Sequence, residues 1–378
     1  MQTIAIIMFT NLKSQPRVIR QIRFLSERYK VIFAGFQDPE MADVSFVHLP
    51  ETKKSLSDRV ASALHFLSRQ YERHYWNRSM MNYLDRLSSV HADLILAHDL
   101  SLPLALRAVR GAKVIFDAHE YFPRQFEDRI LSRLLFLKYT AYVCKTYIPK
   151  AAAMITVSDG IADQYEKDTG VRPVVWYNAP FYEDIEPNLR DNGVKSIRMI
   201  HHGMANPSRK LENMIELMRH LDARFRLDLM LVADGGLQGY LEKLRGMAES
   251  DSRIRFLPPV PMQEVVRFSS QYDIGLYLLE PNSFNHLHAL PNKFFEFIQA
   301  RLAVAIGPLP EMARIVRQYD CGVVSSDFAP KSLAERLMAL DHAKINYYKS
   351  QSHKAARELC AEQNKDKLLS LVEQVLGQ

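Results

Sequence analysis

The feature of this sequence that most constrains its fold is a regular alternation of short apolar runs with amphipathic stretches. A short apolar run followed by a helical period predicts a β-strand and then a crossover helix, and hence a parallel sheet with helices on both faces. In the first half, strands are predicted at 4–9, 31–34, 94–97, 114–117 and 154–157. Helical periods fall between them, notably at 17–29 and 57–87.

The alternation stops in a turn-rich stretch at 178–192 and then starts again. Strands are predicted at 197–201, 228–232, 254–256, 274–278, 303–306 and 322–324, and helices at 211–221, 238–249, 262–271, 292–300 and 332–340. We therefore expect an N-terminal domain over 1–180, a C-terminal domain over 195–360, and a last helix within 361–378 that could pack back toward the N-terminal domain. The fold class is α/β, with two Rossmann-like doubly wound domains that face a central cleft.

Composition excludes several other classes of protein. The 378 residues are enough for two domains, and 47% are hydrophobic, as in ordinary globular proteins. The three cysteines, Cys144, Cys321 and Cys360, lack the spacing of a metal site and predict free thiols in a reducing compartment. Neither a signal peptide nor a membrane-spanning run is expected. The sequence predicts a cytoplasmic protein.

The net charge of +6 lies wholly in the first half of the chain. Residues 1–178 hold 24 Lys and Arg against 18 Asp and Glu, whereas residues 179–378 hold 25 of each kind. The excess indicates an anionic partner, and a solvated surface without a partner is the alternative. Basic and aromatic residues mix at 66–86 and 129–150, which favours a peripheral contact with an anionic membrane, although snorkelling side chains on core helices remain an alternative. We expect no nucleic-acid partner.

The most informative segment for chemistry runs from residue 289 to 300. Pro291 suits a helix start, and Lys293 and Glu296 share one face near that start. A lysine there can bind phosphate and a glutamate can accept both ribose hydroxyls. An ordinary ion pair within the helix is the simpler interpretation of the spacing alone.

Two other segments in the second half of the chain follow predicted strands. His201 and His202 precede Gly203, and a helix is predicted near Ser208 with Arg209 and Lys210 in its first turn. Two cations at a helix N-terminus oppose the macrodipole, which indicates a bound anion such as a diphosphate; a solvated basic turn is the alternative. A further turn holds Asp234 and Gly235, where a glycine permits close approach of a ligand, and a simple tight turn is the alternative.

In the first half, two strands end in polar residues. Asp117, His119 and Glu120 follow one strand, and Asp99 follows another. Ligand sites of such folds collect at the carboxyl ends of strands, and a histidine beside a carboxylate can move protons or bind hydroxyls. Solvated loops are the alternative.

Taken in order, these segments resemble the retaining glycosyltransferases of family 4, also called group 1, most clearly over residues 195–325. Gly203 through Lys210 looks like the phosphate site of that family, and residues 290–300, with Asn292, Lys293 and Glu296, look like its nucleotide-binding helix. Arg17 and the segment 117–120 also resemble it. The resemblance implies the GT-B arrangement and a ribose contact for Glu296. His288 stands where the first acid of the family's paired-glutamate motif is expected, eight positions before Glu296.

The resemblance implies transfer of a sugar from a UDP-sugar or GDP-sugar, without a metal or other cofactor. The basic first half and its aromatic-basic stretches favour a glycan or lipid-linked acceptor, and hence the hypothesis of a role in bacterial surface polysaccharide or lipopolysaccharide assembly. Arg209, Lys210 and Lys293 would neutralise the leaving diphosphate, and His119 would contact the donor sugar or orient the acceptor. Gly203, Gly235, His288 and Asn292 complete the expected donor site, and Arg17, Asp99 and Glu120 are candidates on the acceptor side. Two alternatives stay open: an isomerase of the UDP-N-acetylglucosamine 2-epimerase type, and a non-catalytic partner subunit.

Overall fold

The structure is a computed structural model that describes residues 1–12, 15–51, 56–125, 127, 130–190, 196–233 and 235–377, without the side chains of 130–135. The chain divides into two compact units. The first comprises Met1–Tyr177 and Asn364–Gln378, and the second comprises Asn178–Gln363. The turn-rich stretch that begins at residue 178 belongs to the second unit, where the guanidinium of Arg190 pairs with Asp273 at 2.9 Å.

The first unit is built on a seven-stranded parallel sheet. Its strands are β1 (Thr3–Ile7), β2 (Lys30–Gly35), β3 (Val44–His48), β4 (Leu94–His98), β5 (Lys113–Ala118), β6 (Ala153–Thr156) and β7 (Val174–Val175). Its helices are α1 (Pro16–Ser26), α2 (Leu56–Leu67), α3 (Tyr71–Tyr75), α4 (Arg78–Leu87), α5 (Leu102–Ala108), α6 (Ile130–Tyr147) and α7 (Asp159–Thr169). The strand order is β3-β2-β1-β4-β5-β6-β7. The strands β1 to β3 follow one another toward one edge of the sheet and β4 to β7 toward the other edge, so the order reverses between β1 and β4.

The second unit is built on a six-stranded parallel sheet of order β10-β9-β8-β11-β12-β13. Its strands are β8 (Ile197–Met204), β9 (Phe225–Val232), β10 (Ile254–Phe256), β11 (Ile274–Tyr277), β12 (Ala303–Ile306) and β13 (Gly322–Val324). Its helices are α8 (Glu212–Arg219), α9 (Gln238–Ala248), α10 (Val265–Ser269), α11 (Phe284–Leu287), α12 (Asn292–Gln299), α13 (Pro310–Tyr319), α14 (Pro330–Met338) and α15 (His342–Glu358). The last helix, α16 (Ala361–Leu376), begins in this unit and ends in the first.

The predicted fold class is confirmed, and every predicted strand is present. The central strands are buried on both faces, as parallel sheets covered by helices require; Ile4 and Ile6 of β1 are fully buried. Sequence patterning missed β3 and β7. β3 is an edge strand with half-exposed residues, and β7 is only two residues long, so neither has a continuous apolar run.

The helical period predicted over 57–87 is divided into three helices in the structure, α2, α3 and α4. Arg69 has φ +57, which no α-helix interior accepts. Farther along, the side chain of Asn77 accepts hydrogen bonds from the backbone N–H groups of Ser79 and Met80, and this cap starts α4. The left-handed backbone of Arg69 and the cap formed by Asn77 therefore divide a segment whose apolar spacing fits one continuous helix.

The end of the chain packs on the first unit. The indole N–H of Trp176 donates to the carbonyl oxygen of Asn364 at 2.7 Å, and Arg28 pairs with Glu373 at 2.6 Å. Within the described part of the chain, none of the helices has the length and apolar character needed to cross a membrane.

Candidate functional site

The second unit contains a pocket at the carboxyl end of β8, between this strand and α12. Its volume is about 450 Å³. The lining residues are His202, Gly203, Arg209, Met230, Val232, Pro259, Val260, Met262, Val265, Pro291, Asn292, Lys293 and Glu296. The pocket therefore brings together five of the site residues predicted from the sequence: Gly203, Arg209, Asn292, Lys293 and Glu296.

Lys293 lies in the first turn of α12 and crosses to the end of β8. Its side chain is 7% exposed. Gly203, with φ +131, faces it, and a Cβ on Gly203 would collide with the Lys293 Nζ. Glycine is therefore favoured at residue 203 for two reasons: it permits a backbone conformation that side chains disfavour, and it leaves room for the Lys293 ammonium in its present position.

Burial and charge both act on Lys293. Burial, followed by the nearby positive charge of Arg209, lowers its pKa to about 7, while Glu296 acts in the opposite direction. A charged lysine that is buried beside an arginine is energetically unfavourable, and an anion bound in the site would stabilise the charged form. The arrangement is therefore suited to an anionic ligand.

Two histidines of β8 contact the two ionisable residues of α12. The Nδ1 of His201 lies 2.8 Å from the carbonyl oxygen of Leu276, so Nδ1 carries the proton and Nε2 is an acceptor, 3.4 Å from the Lys293 Nζ. The Nε2 of His202 lies 3.6 Å from an oxygen of Glu296. Burial and the charge of Lys293 lower the pKa of His202 to about 3 and that of His201 well below its ordinary value. Both imidazoles are therefore neutral.

The predicted helix start near Ser208 is wrong, and the side chains of Arg209 and Lys210 have different surroundings. Residues Pro207–Arg209 form a single 3₁₀ turn, Lys210 has φ +46, and α8 begins only at Glu212. The left-handed conformation of Lys210 turns its side chain to Glu280, with which it pairs at 2.5 Å in an exposed position. Arg209 lines the pocket and Lys210 does not. The helix-dipole argument for two cations at one helix start therefore does not apply.

Two other predicted residues lie elsewhere in the unit. Gly235 opens a short turn after β9 with no neighbour where a Cβ would stand, and its neighbour Asp234 is outside the described residues. His288 ends α11, and its Nδ1 lies 3.2 Å from a carboxylate oxygen of the buried Glu311. Neither residue lines the pocket.

One side of the pocket is apolar, and the sequence analysis missed it. Pro259, Val260, Met262 and Val265 follow β10 and form this side. Met262 is 56% exposed, which is high for a methionine. The sequence carried a signal in the prolines at 258, 259 and 261, which end the strand and hold an extended loop. An apolar wall, formed here by Pro259, Val260, Met262 and Val265, can accept an aromatic base whose sugar and phosphates lie beside the carboxylate and the cations.

The first unit holds a second polar cluster at the carboxyl ends of β4 and β5. The guanidinium of Arg17 binds both oxygens of Asp117, at 2.7 and 2.8 Å, and donates to the carbonyl oxygen of Trp176 at 2.6 Å. Gln21 donates to Asp117 at 2.6 Å. Burial would raise the pKa of Asp117, but the charge and hydrogen bonds of Arg17 hold it well below its ordinary range. Arg17 is 3% exposed and is part of the protein interior.

His119 lies at the edge of this cluster and is partly exposed. Its Nε2 is 3.1 Å from the Nδ1 of the buried His98, and its Nδ1 is 3.9 Å from an oxygen of Asp99. Burial lowers the pKa of His98 to about 3, so His98 is neutral. Asp99 has φ +52, and burial raises its pKa. Glu120 is exposed, and the sequence analysis missed His98 because its strand reads as continuous core.

The nitrogen and oxygen atoms of His98, Asp117 and His119 lie within 4.8 Å of one another, a spacing that a metal ion could use. However, Arg17 already occupies both carboxylate oxygens, and its positive charge opposes a second cation. We therefore interpret the cluster as a support that holds His119 in a fixed orientation.

The family comparison agrees with the resemblance noted in the sequence. Residues 17–180 match the family model described as Glycosyltransferase Family 4. This match lies almost wholly in the first unit, whereas the motifs in the sequence were clearest in the second. No curated protein matches the sequence. The predicted likeness to family 4 glycosyltransferases of the GT-B type is confirmed.

Solved structures share the fold over nearly the whole chain. Anabaena Alr3699/HepE in complex with UDP-glucose aligns with a TM-score of 0.71 and 12% identity, covering 99% of this chain and 100% of the other. WaaG, a glycosyltransferase involved in lipopolysaccharide biosynthesis, aligns with a TM-score of 0.63 and 13% identity over 97% and 99% of the two chains. A glycosyltransferase from Rickettsia africae aligns with a TM-score of 0.68 and 11% identity over 99% and 98%. At these identities the likeness shows the two-domain GT-B fold.

Proposed function

We propose that this chain is a glycosyltransferase that moves a sugar from a nucleoside diphosphate sugar, with UDP or GDP, to a glycan or lipid-linked acceptor in bacterial surface polysaccharide or lipopolysaccharide assembly. The observation that carries the proposal is the pocket of the second unit, which combines an apolar wall with Arg209, Lys293 and Glu296. The apolar wall suits a nucleotide base, the carboxylate suits the hydroxyls of a ribose, and the cations suit a diphosphate.

In this assignment the nucleoside lies on the wall formed by Pro259, Val260 and Met262. Glu296 accepts hydrogen bonds from the ribose hydroxyls, and Arg209 and Lys293 bind the diphosphate. Lys210 contributes less, because its ammonium already pairs with Glu280. UDP is the first donor to test, since the structural relative HepE carries UDP-glucose.

Catalysis rests on stabilising the leaving diphosphate as negative charge develops on it. An acceptor hydroxyl attacks the anomeric carbon while the bond from that carbon to the phosphate oxygen breaks. In a retaining reaction the proton of the acceptor passes to the departing phosphate oxygen on the same face, so the protein supplies no base. His119 contacts the donor sugar or orients the acceptor, and no metal ion is needed.

The donor is tested by calorimetry with UDP, GDP and their sugar conjugates, followed by glycosyl transfer with Glu296→Ala and Arg209→Ala. We expect one diphosphate to bind, and both substitutions to weaken it. Binding and transfer unchanged in both variants would refute the site assignment. Turnover of a UDP-sugar without acceptor would instead support an epimerase, and binding without any turnover would support a non-catalytic subunit.

The Asp99→Asn substitution separates a retaining from an inverting reaction. Asparagine tolerates the left-handed backbone of Asp99 and removes only the carboxylate. A general base contributes about 10²- to 10⁴-fold to rate, so an inverting enzyme that used Asp99 would lose that much. We expect less than about tenfold loss, with Glu120→Gln as the parallel test of the second carboxylate.

We also propose that the first unit contacts the inner face of an anionic membrane through α2. Leu56, Val60, Leu64 and Leu67 lie on one stripe of this helix, and their exposed fractions range from 53% to 79%. Surface helices normally bury such a stripe. Arg59 is exposed on the same helix, and Arg69 and Arg73 are exposed just after it. An apolar stripe with neighbouring cations suits an anionic bilayer surface.

Flotation with vesicles of anionic and zwitterionic lipid tests this contact at low salt. The double substitution Leu64→Gln, Leu67→Gln should abolish flotation with anionic vesicles. Leu189→Gln is the matched control, because Leu189 is similarly exposed, at 51%, but lies in the second unit. Absence of flotation by the unmodified protein, or equal loss in the control, would contradict the proposal.

A further inference from the structure

We propose that His201 is a positioning residue that holds the Lys293 ammonium toward the diphosphate side of the pocket. This inference rests on the proposed function, since it assigns a second residue to the same donor site. His201 does not line the pocket. It acts through Lys293.

The geometry fixes which nitrogen of His201 faces the lysine. Nδ1 lies 2.8 Å from the carbonyl oxygen of Leu276 on the neighbouring strand β11, and a carbonyl only accepts. Nδ1 therefore carries the proton, and Nε2 presents a lone pair to the Lys293 Nζ at 3.4 Å. His201 is fully buried, so the imidazole cannot turn away into solvent.

This contact is useful because the surroundings of Lys293 are otherwise unfavourable to a buried ammonium. The titratable and charged groups around it are His201 and His202 of β8, Arg209, Tyr277 of β11 and Glu296. Arg209 repels the ammonium, whereas a neutral imidazole acceptor stabilises it without cancelling its charge. An ammonium has three N–H donors, so one bond to His201 leaves two for phosphate oxygens.

Two substitutions separate the two nitrogens of His201. His201→Asn keeps a donor near the position of Nδ1 and removes the acceptor that faces Lys293. His201→Gln places an amide oxygen near the position of Nε2 and restores that acceptor. The experiment measures the affinity of both variants, the unmodified protein and Lys293→Met for UDP and for uridine, by calorimetry between pH 6 and 9.

We expect His201→Asn to weaken UDP binding about tenfold near pH 7.5, which is the size of one charge-assisted hydrogen bond. The pH at which UDP affinity starts to fall should move lower, because the lysine loses a group that favours its charged form. His201→Gln should recover most of the affinity. Uridine binding should be unchanged in both variants, because uridine has no phosphate.

The outcomes are distinguishable. If His201→Asn binds UDP with the affinity and pH profile of the unmodified protein while Lys293→Met is weak, this inference is wrong and the proposed function stands. Equal loss for UDP and uridine would assign His201 a purely structural role and also overturn the inference. If the unmodified protein binds no nucleoside diphosphate, the proposed function fails and the inference fails with it.

A measurement on the unmodified protein covers the case in which the variants do not fold. Nitrogen NMR of labelled histidine reports the tautomer of His201 directly. We expect Nδ1 to be protonated and Nε2 bare from pH 6 to 9. The opposite tautomer would leave no acceptor facing Lys293 and would refute the inference.

Discussion

Replacing Gly203 by alanine should weaken donor binding through Lys293. A Cβ at residue 203 would collide with the Lys293 Nζ and stand 3.1 Å from its Cε, so the lysine has to move. The displaced Lys293 ammonium would lose its contact with the diphosphate. A charge-assisted hydrogen bond of this kind contributes about 1.5–3 kcal/mol to the free energy of binding. We therefore expect UDP affinity to fall by about 10- to 150-fold. Alanine at φ +131 adds backbone strain of about 1–3 kcal/mol, which lowers stability.

Calorimetry with UDP measures the effect, and a double-mutant cycle assigns it. In a Lys293→Ala background the atoms that the new Cβ would meet are gone, so Gly203→Ala should change UDP affinity by less than about threefold. Gly170→Ala is the matched control for strain, because Gly170 has φ +74 with open space around it and lies in the first unit. It should lower the melting temperature and leave UDP affinity unchanged.

The reasoning is refuted if Gly203→Ala binds UDP as tightly as the unmodified protein while Lys293→Ala binds weakly. In that case the lysine would reach the phosphates from another rotamer, and its close packing on Gly203 would not position it. An equal loss from Gly203→Ala in both backgrounds would also refute it, because the effect would then come from the backbone alone.

Arg209→Ala should weaken UDP binding by about 10- to 100-fold. In Lys210→Ala, UDP affinity should stay within about twofold of that of the unmodified protein, because the ion pair of Lys210 with Glu280 is exposed. Calorimetry on the two variants compares their UDP affinities. UDP affinity should fall as pH rises above about 7, because the bound diphosphate favours charged Lys293 and binding takes up a proton, and Lys293→Met should remove this slope. Asp117→Asn should lower stability by about 3–5 kcal/mol in denaturant unfolding, because the buried charge of Arg17 loses its partner. The depressed pKa of Asp117 also predicts that its contribution is present above the unfolded pKa of about 3.9 and is lost in stronger acid.

The fold could be predicted from the sequence because it depends on local patterns. Each buried strand is a short apolar run, and each run is followed by a helical period, which leaves few topologies for a parallel sheet. The strand order, which reverses between β1 and β4, then agrees with a doubly wound domain. Where a single residue changes the backbone, as Arg69 does within the helical period predicted over 57–87, periodicity gives no warning.

The residues of the candidate site in the second unit could be predicted only in part. The spacing of Lys293 and Glu296 placed both on one helix face, and both line the pocket. Their partners could not be found this way, because His201 is 92 residues from Lys293 along the chain and meets it only through the pairing of β8 with β11 and the packing of α12. The contact between His202 and Glu296 was missed for the same reason.

A left-handed backbone conformation explains the error at Lys210. Two non-glycine residues with positive φ stand at the candidate sites: Asp99 (+52) after β4, and Lys210 (+46) after the turn with Arg209. A third, Arg301 (+60), follows the C-terminal end of α12, away from the pocket. Such conformations cost about 1–3 kcal/mol each and persist only where other contacts offset the cost. Arg301 shows the offset, since its guanidinium donates to the carbonyl oxygens of Gln299 and Glu183, each at 2.5 Å. Because a lysine side chain gives no sign of a left-handed backbone, sequence rules fail at Lys210, where that backbone conformation precedes α8 and the side chain pairs with Glu280 while Arg209 lines the pocket.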